Sequence, residues 1–298
     1  MKRVLVVGCR GMLGTDLVEL LTKAGSPSGA QPGLVVRGLD LPDIDISSRV
    51  SITRALREYR PDTVINCAAF TRVDDCEKQL DLAMQVNGIA PGLLAAGCAI
   101  ERVRLIHIST DFVFDGTKTE PYVEDDPTYP LSAYGATKLE GERRVLASGG
   151  DALVVRTAWL YGRRGKNFIT TIRDAAKTRP ELTVVDDQRG CPTWTRDLSR
   201  ALWALMNVPA QGIVHAVGRG TCSWFEFATE IVKRSGSATP VRPVTTAEYM
   251  ASRGGAKRPA NSALDTTRLK ELTEFEFPLW PDSLDAFLRE LDAAGNIV

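Results

Sequence analysis

Short apolar runs alternate along this chain with stretches whose apolar residues recur every three or four positions. Runs near 3–7, 34–39, 62–67, 103–109 and 152–157 predict strands, and the periodic stretches near 13–24, 47–59, 79–99 and 133–148 predict helices. The strands are nearly continuous in apolar residues rather than alternating. That is the signature of a sheet covered on both faces, built from βαβ units. The expected fold is α/β, a Rossmann-type doubly wound parallel sheet whose ligand site lies at the carboxyl ends of the strands. The second half is less regular. A strand over 181–185, an irregular turn over 186–193, a helix near 195–206 and an apolar run over 212–217 follow in order. The last of these is expected to return to the first sheet. The reading assigns residues 1–160, with a returning segment near 194–230, to a nucleotide-binding unit. Residues 161–193 and 231–298 are assigned to a smaller C-terminal substrate-binding domain.

Composition narrows the function classes. The 298 residues hold 37 basic and 37 acidic side chains, so there is no electrostatic reason to expect nucleic acid or a membrane surface. The apolar run after Met1 is too short for a secretory signal, and no stretch is expected to reach the length of a membrane span. The six cysteines show neither a CxxC nor a metal-ligand spacing and read as reduced thiols of a cytoplasmic protein. His107 and His215 lie inside apolar runs and read as packed core residues, so no metal site is expected.

Gly8, Gly11 and Gly14 fall between the first strand and the first helix. In that setting the first glycine permits a tight turn and the second lets backbone approach a pyrophosphate. The third lets helix and strand pack closely, while the helix N-terminus receives the anion. Arg10, Met12 and Leu13 complete the loop. Asp40 ends the second strand and is expected at the adenosine ribose, although Arg10 and Arg37 are equally placed to hold a 2′-phosphate. Asp45 and Ile46 either flank an adenine or open a helix. After the third strand, Asn66 would pin a loop while Cys67, Ala68 and Ala69 let a cofactor cross the sheet edge. Asn87, polar amid apolar helical spacing, either holds a water beside Lys138 or satisfies its own helix.

Tyr134 and Lys138 share one helix face at i and i+4, and Thr110 ends an apolar strand. An ammonium beside a phenol is expected to lower the phenol pKa toward neutrality, and the threonine hydroxyl would hold a carbonyl against it. Asp111 is placed to orient sugar hydroxyls. Trp159, just after a strand, offers a flat face for a sugar ring.

The glycine pattern, segments 66–69 and 109–116, and the Tyr134/Lys138 pair resemble the extended short-chain dehydrogenases/reductases. Segments 156–162, 166–168, 187–193 and 257–262 resemble the dTDP-4-dehydrorhamnose reductases within that group, in matching order over nearly the whole chain. The resemblance implies reduction of a dTDP-linked 4-keto sugar by NADPH or NADH. It implies Thr110, Tyr134 and Lys138 as catalytic residues. It implies Asn167, Gln188 and Arg258 facing the nucleotide-sugar, with Arg258 at the diphosphate, and Thr110, Asp111, Val113 and Trp159 are expected at the substrate beside them. Two departures stand out. Phe112 occupies a position where this group often has tyrosine. The glutamates that hold magnesium at a dimer interface in some members find no match, so neither metal nor homodimer follows. Three alternatives stay open: a reductase of another 4-keto nucleotide sugar, an epimerase with retained NAD, and a non-catalytic NADP-binding subunit resembling the regulatory β-subunit of methionine adenosyltransferase.

Overall fold

A computed structural model describes residues 2–295 of the chain. Six parallel strands form the central sheet. They are β1 (Arg3–Val7), β2 (Val35–Leu39), β3 (Thr63–Asn66), β4 (Arg104–Thr110), β5 (Ala152–Thr157) and the strand Gly212–His215. Their order is Gly212–His215, β5, β4, β3, β1, β2, every neighbouring pair parallel. The chain leaves β1 toward one edge to form β2, then crosses back to build β3 on the other side. The reversal opens a crevice above the carboxyl ends of β1 and β3.

Each strand sends alternate residues to opposite faces. Val4 and Val6 pack with α1 (Met12–Gly25) and the Thr195–Met206 helix, together with Ile65, Ile106 and Val155. Leu5 and Val7 pack on the other face with α2 (Arg49–Tyr59), the Ala90–Glu101 helix, Val64, Leu105 and Val154. Both faces are therefore dry, which is why the strands read as unbroken apolar runs. Beyond β5, a separate apolar cluster joins Tyr161, Ile169, Trp194, Phe227, Leu284 and Phe287 around a two-stranded parallel pair, Leu182–Val185 with Val241–Val244. The Gly212–His215 strand does return to the main sheet, beside β5.

One expectation needs correcting. Leu80–Glu101 runs as 22 consecutive helical residues, long and apolar enough by length and composition to cross a membrane. Its apolarity has a local account. Leu94, Ala95 and Cys98 are buried in the core under the sheet. Its turn over Met84–Ile89 is π-helical, and there Asn87 points inward.

Candidate active site

The crevice is a cleft of about 420 Å³. Its upper wall is the glycine loop. Gly8 has φ +78°, a conformation open to glycine, and a Cβ there would stand 2.6 Å from the Ala68 nitrogen. A Cβ on Gly14 would stand 2.1 Å from the Gly8 carbonyl oxygen, so only glycine lets α1 start so close to the loop. Gly11 is the N-cap of α1 and offers no side chain, leaving the first helical N–H groups to a ligand. Gly11, Met12, Leu13 and Gly14 all line the cleft, as do Cys67 and Ala69 opposite.

Asp40 accepts the Arg10 backbone N–H at 3.0 Å and that of Leu41 at 2.9 Å. The Arg10 guanidinium donates to the Leu41 carbonyl at 2.9 Å. Both predicted adenosine-end residues thus meet beside the glycine loop. Asp45 forms a turn with Ser47, and Ser48 is the N-cap of α2, so Asp45 does not open that helix. Ile46 is buried in the core.

Asn66 holds its loop as expected: Oδ1 accepts the Ala68 N–H at 3.1 Å. Asn87 does something the spacing did not suggest. Its amide accepts the Phe70 N–H at 2.8 Å and donates to the Phe70 carbonyl at 2.9 Å. Both ends are engaged by the backbone of another loop, so the expected alternatives of a water site or a self-capping helix residue give way to a loop clamp.

At the cleft floor three elements converge. Thr110 is the last residue of β4, and the Ala133–Leu146 helix carries Tyr134 and Lys138, capped by Ser132. Thr110 donates to Asp111 at 2.9 Å and lines the cleft together with Tyr134. The phenol ring stands edge-on to Phe112, centroids 5.6 Å apart. Lys138 is 2% exposed, and its Nζ donates to the Ile108 carbonyl at 2.6 Å.

The electrostatics correct the sequence expectation. Burial pushes the Tyr134 phenol above its ordinary range, with Thr110 opposing and Asp111 adding to the rise. Burial also brings Lys138 down to about 8, partly offset by Glu142 and Cys67. The ammonium is turned toward the β4 backbone, and the desolvation of the phenolate outweighs it. The phenol is therefore neutral, the state a proton donor needs. Asp111, 2% exposed, is raised to about 6 by burial, which outweighs the hydrogen bond from Thr110.

Trp159 also lines the cleft, with φ +46°. Its indole stacks on Trp224 at 3.4 Å and 4°. Trp224 in turn borders a second hollow of about 380 Å³ that also holds Gln188 and Arg258. The stacked indoles therefore form a wall shared by both spaces. Gln188 donates to the Thr246 hydroxyl at 2.9 Å, and Arg258 pairs with Asp74 at 3.3 Å. Asn167 lines the cleft, but its amide caps the Phe168–Thr178 helix and donates to the Gly162 carbonyl. Val113 is fully buried among Phe114, Tyr122 and Leu264 and lines neither space.

Several site residues were missed from the sequence. Glu142 receives Ser109 at 2.5 Å and Arg156 at 2.8 Å, all buried directly behind the floor. Its i+4 spacing from Lys138 was a usable signal. Trp224 and Gly190, which close around Trp159, left no local signal. Among the described residues no group of three His, Cys, Asp or Glu gathers to hold a metal. Asp16 accepts from Thr195 across the fold.

The parallel sheet, the glycine loop at its crossover and the Thr110–Tyr134–Lys138 floor define an extended short-chain dehydrogenase/reductase. More particularly, the chain belongs to the family described as RmlD substrate binding domain, which matches residues 1–293. It is 38% identical over 307 residues to the dTDP-4-dehydrorhamnose reductase of Burkholderia thailandensis, covering 97% of this chain and 99% of that one. It is 42% identical over 265 residues to the dTDP-4-keto-6-deoxy-D-glucose reductase of Streptomyces niveus, covering 88% of each. The dTDP-4-dehydrorhamnose reductase of Bacillus anthracis, solved in complex with NADP, superposes with a TM-score of 0.89 at 34% identity, covering 97% of this chain and 100% of that one.

Proposed function

We propose that this protein reduces the 4-keto group of dTDP-4-dehydro-β-L-rhamnose to give dTDP-β-L-rhamnose, with NADPH or NADH as donor. The observation that carries the reading is the convergence of Thr110, Tyr134 and Lys138 beside the glycine loop. The loop suits a dinucleotide: Gly11 leaves helix N–H groups to the pyrophosphate, and Arg10 and Asp40 meet at the adenosine end. A bound nicotinamide would supply the hydride. Thr110 orients the carbonyl oxygen, and the neutral Tyr134 phenol donates its proton to the oxyanion as it forms. Lys138 holds positive charge at the floor beneath it. Asp111 accepts hydrogen bonds from sugar hydroxyls, and Trp159 covers the ring. Gln188 and Arg258, across the indole wall, take the nucleotide end, with Arg258 exchanging Asp74 for the diphosphate.

Residues 1–160 with 194–230 form the cofactor unit in this reading, and 161–193 with 231–298 cover the substrate. A cytoplasmic setting fits a reaction between soluble nucleotides.

The test is loss of reduced-nicotinamide absorbance with dTDP-4-dehydro-6-deoxyglucose, with and without its 3,5-epimerase. Consumption that requires the epimerase supports the reading. Consumption without it points to another keto sugar. No consumption despite cofactor binding would leave an epimerase or a non-catalytic subunit. Tyr134→Phe should lower kcat by roughly 10²–10⁴ while leaving cofactor affinity near wild type. Wild-type turnover in that variant would remove the phenol from its role.

A further inference from the structure

His107 lies in the core of β4 and is fully buried, yet both of its ring nitrogens face polar groups. The Asn66 amide sits 3.1 Å from Nδ1. Its orientation is settled by its other end, because Oδ1 already accepts the Ala68 N–H at 3.1 Å. The nitrogen end of the amide therefore faces the ring. An amide nitrogen only donates, so Nδ1 must accept, and a neutral imidazole then carries its single proton on Nε2. Nε2 stands 3.5 Å from Lys138 Nζ. Lys138 already gives a proton to the Ile108 carbonyl at 2.6 Å.

An ammonium has three donors and no acceptor, whereas an amine has a lone pair. An Nε2–H aimed at Nζ opposes the first and can be accepted by the second. We propose that His107, its tautomer locked by Asn66, is a positioning residue for Lys138: it presents an N–H to the lysine nitrogen and thereby favours release of the lysine proton at the cleft floor. The chain of contacts runs from the Ala68 backbone through Asn66 and His107 to Lys138, which ties the loop after β3 to the charge under Tyr134.

The other groups facing Lys138 act as follows. Glu142, one helical turn on, favours the ammonium, but its carboxylate is already held by Arg156 and Ser109. Cys67 acts in the same sense as Glu142, and burial acts against the ammonium. Asp111 bears on the Tyr134 phenol rather than on Lys138. His107 itself is held well below its ordinary range by burial and by Lys138, so it stays neutral across the working range. The alkaline limb of the reductase profile is then loss of the Lys138 proton. This role rests on the reading of Lys138 as part of a reducing site.

The test is built so that it does not depend on turnover. The chain has only two histidines, so protein labelled with ¹⁵N-histidine shows two imidazoles. His107 should appear as the neutral Nε2–H tautomer. Its Nε2 shift should inflect once, near the lysine value of about 8, and the inflection should vanish in Lys138→Met. An Nδ1–H tautomer, or an Nε2 shift flat through that range in the wild type, would overturn the proposal even if the protein is a competent reductase. The kinetic arm uses Asn66→Asp, whose carboxylate accepts from Nδ1–H and turns the Nε2 lone pair toward the ammonium. The alkaline limb of kcat/KM should move up by about one pH unit or more. An unmoved limb in a folded Asn66→Asp protein would also overturn it. Failure of every keto sugar to react would fall on the function above and leave the NMR outcome standing.

Discussion

Removing the Glu142 charge should destabilise this protein more than most single substitutions. Glu142 and Arg156 are 1% and 2% exposed, and their nearest charged atoms stand 2.8 Å apart. Arg156 makes paired contacts with both carboxylate oxygens, donates to the Glu124 carbonyl at 3.3 Å and lies over the Phe114 ring at 5.0 Å. At a charge separation of about 4 Å and an effective dielectric near 20, the attraction is about 4 kcal/mol. Its net worth is smaller, because two ions were taken out of water to form it. Breaking it is another matter. Glu142→Gln leaves a buried guanidinium without its counter-charge and turns one of its two acceptor oxygens into an amide N–H, which cannot accept from it, a loss of roughly 3–5 kcal/mol. Urea unfolding followed by tryptophan fluorescence would read this as a lower midpoint at unchanged slope. The Glu142→Leu/Arg156→Met pair should lose less than Glu142→Gln alone, since it removes both charges together. The reasoning fails if Glu142→Gln unfolds within about 1 kcal/mol of wild type, or if the double variant loses as much as the two singles added.

Other expectations follow from the same geometry. Gly190→Ala would put a Cβ 2.4 Å from Trp159 Cε2, and Trp224 blocks retreat on the other side, so about 1–3 kcal/mol should be lost and KM for the sugar nucleotide should rise. Near-UV circular dichroism from the indole stack would report the displacement. Gly14→Ala should abolish tight cofactor binding, measured by calorimetry, because its Cβ would force α1 away from the Gly8 carbonyl. Asp111 gives a pH signature. Its carboxyl is at about 6 in the fold against an ordinary 3.8, so the native state holds its proton more tightly than the unfolded chain. Stability from this group is full below about pH 4 and is lost as pH rises through about 6, a difference near 3 kcal/mol. Asp111→Asn should therefore match wild type at low pH and exceed it at neutral pH in urea midpoints. A wild-type advantage at neutral pH would refute the sign.

Much of this protein was legible one residue at a time. The unbroken apolar runs specified strands buried on both faces, and strand, glycine turn and helix in immediate succession specified the crossover loop. Those signals are local: periods of two and 3.6 residues, and backbone conformations open to glycine. Tyr134, Lys138 and Thr110 were legible because two share a helix face and one ends a strand. Their chemistry was not. Spacing put a charge beside a phenol, but it could not say that burial would outweigh that charge, or that Lys138 Nζ would turn to the Ile108 carbonyl. Desolvation depends on everything packed around a group, and no window of sequence contains it. The same holds for Asn87 clamping Phe70, for Asp16 meeting Thr195 from 179 positions away, and for the indole wall that Trp159 and Trp224 build between two hollows. Sequence determined which elements form and which side chains are available. Only the tertiary structure decided what each polar group faces, because pairing partners far apart in the chain meet only once the sheet and its helices have closed over them.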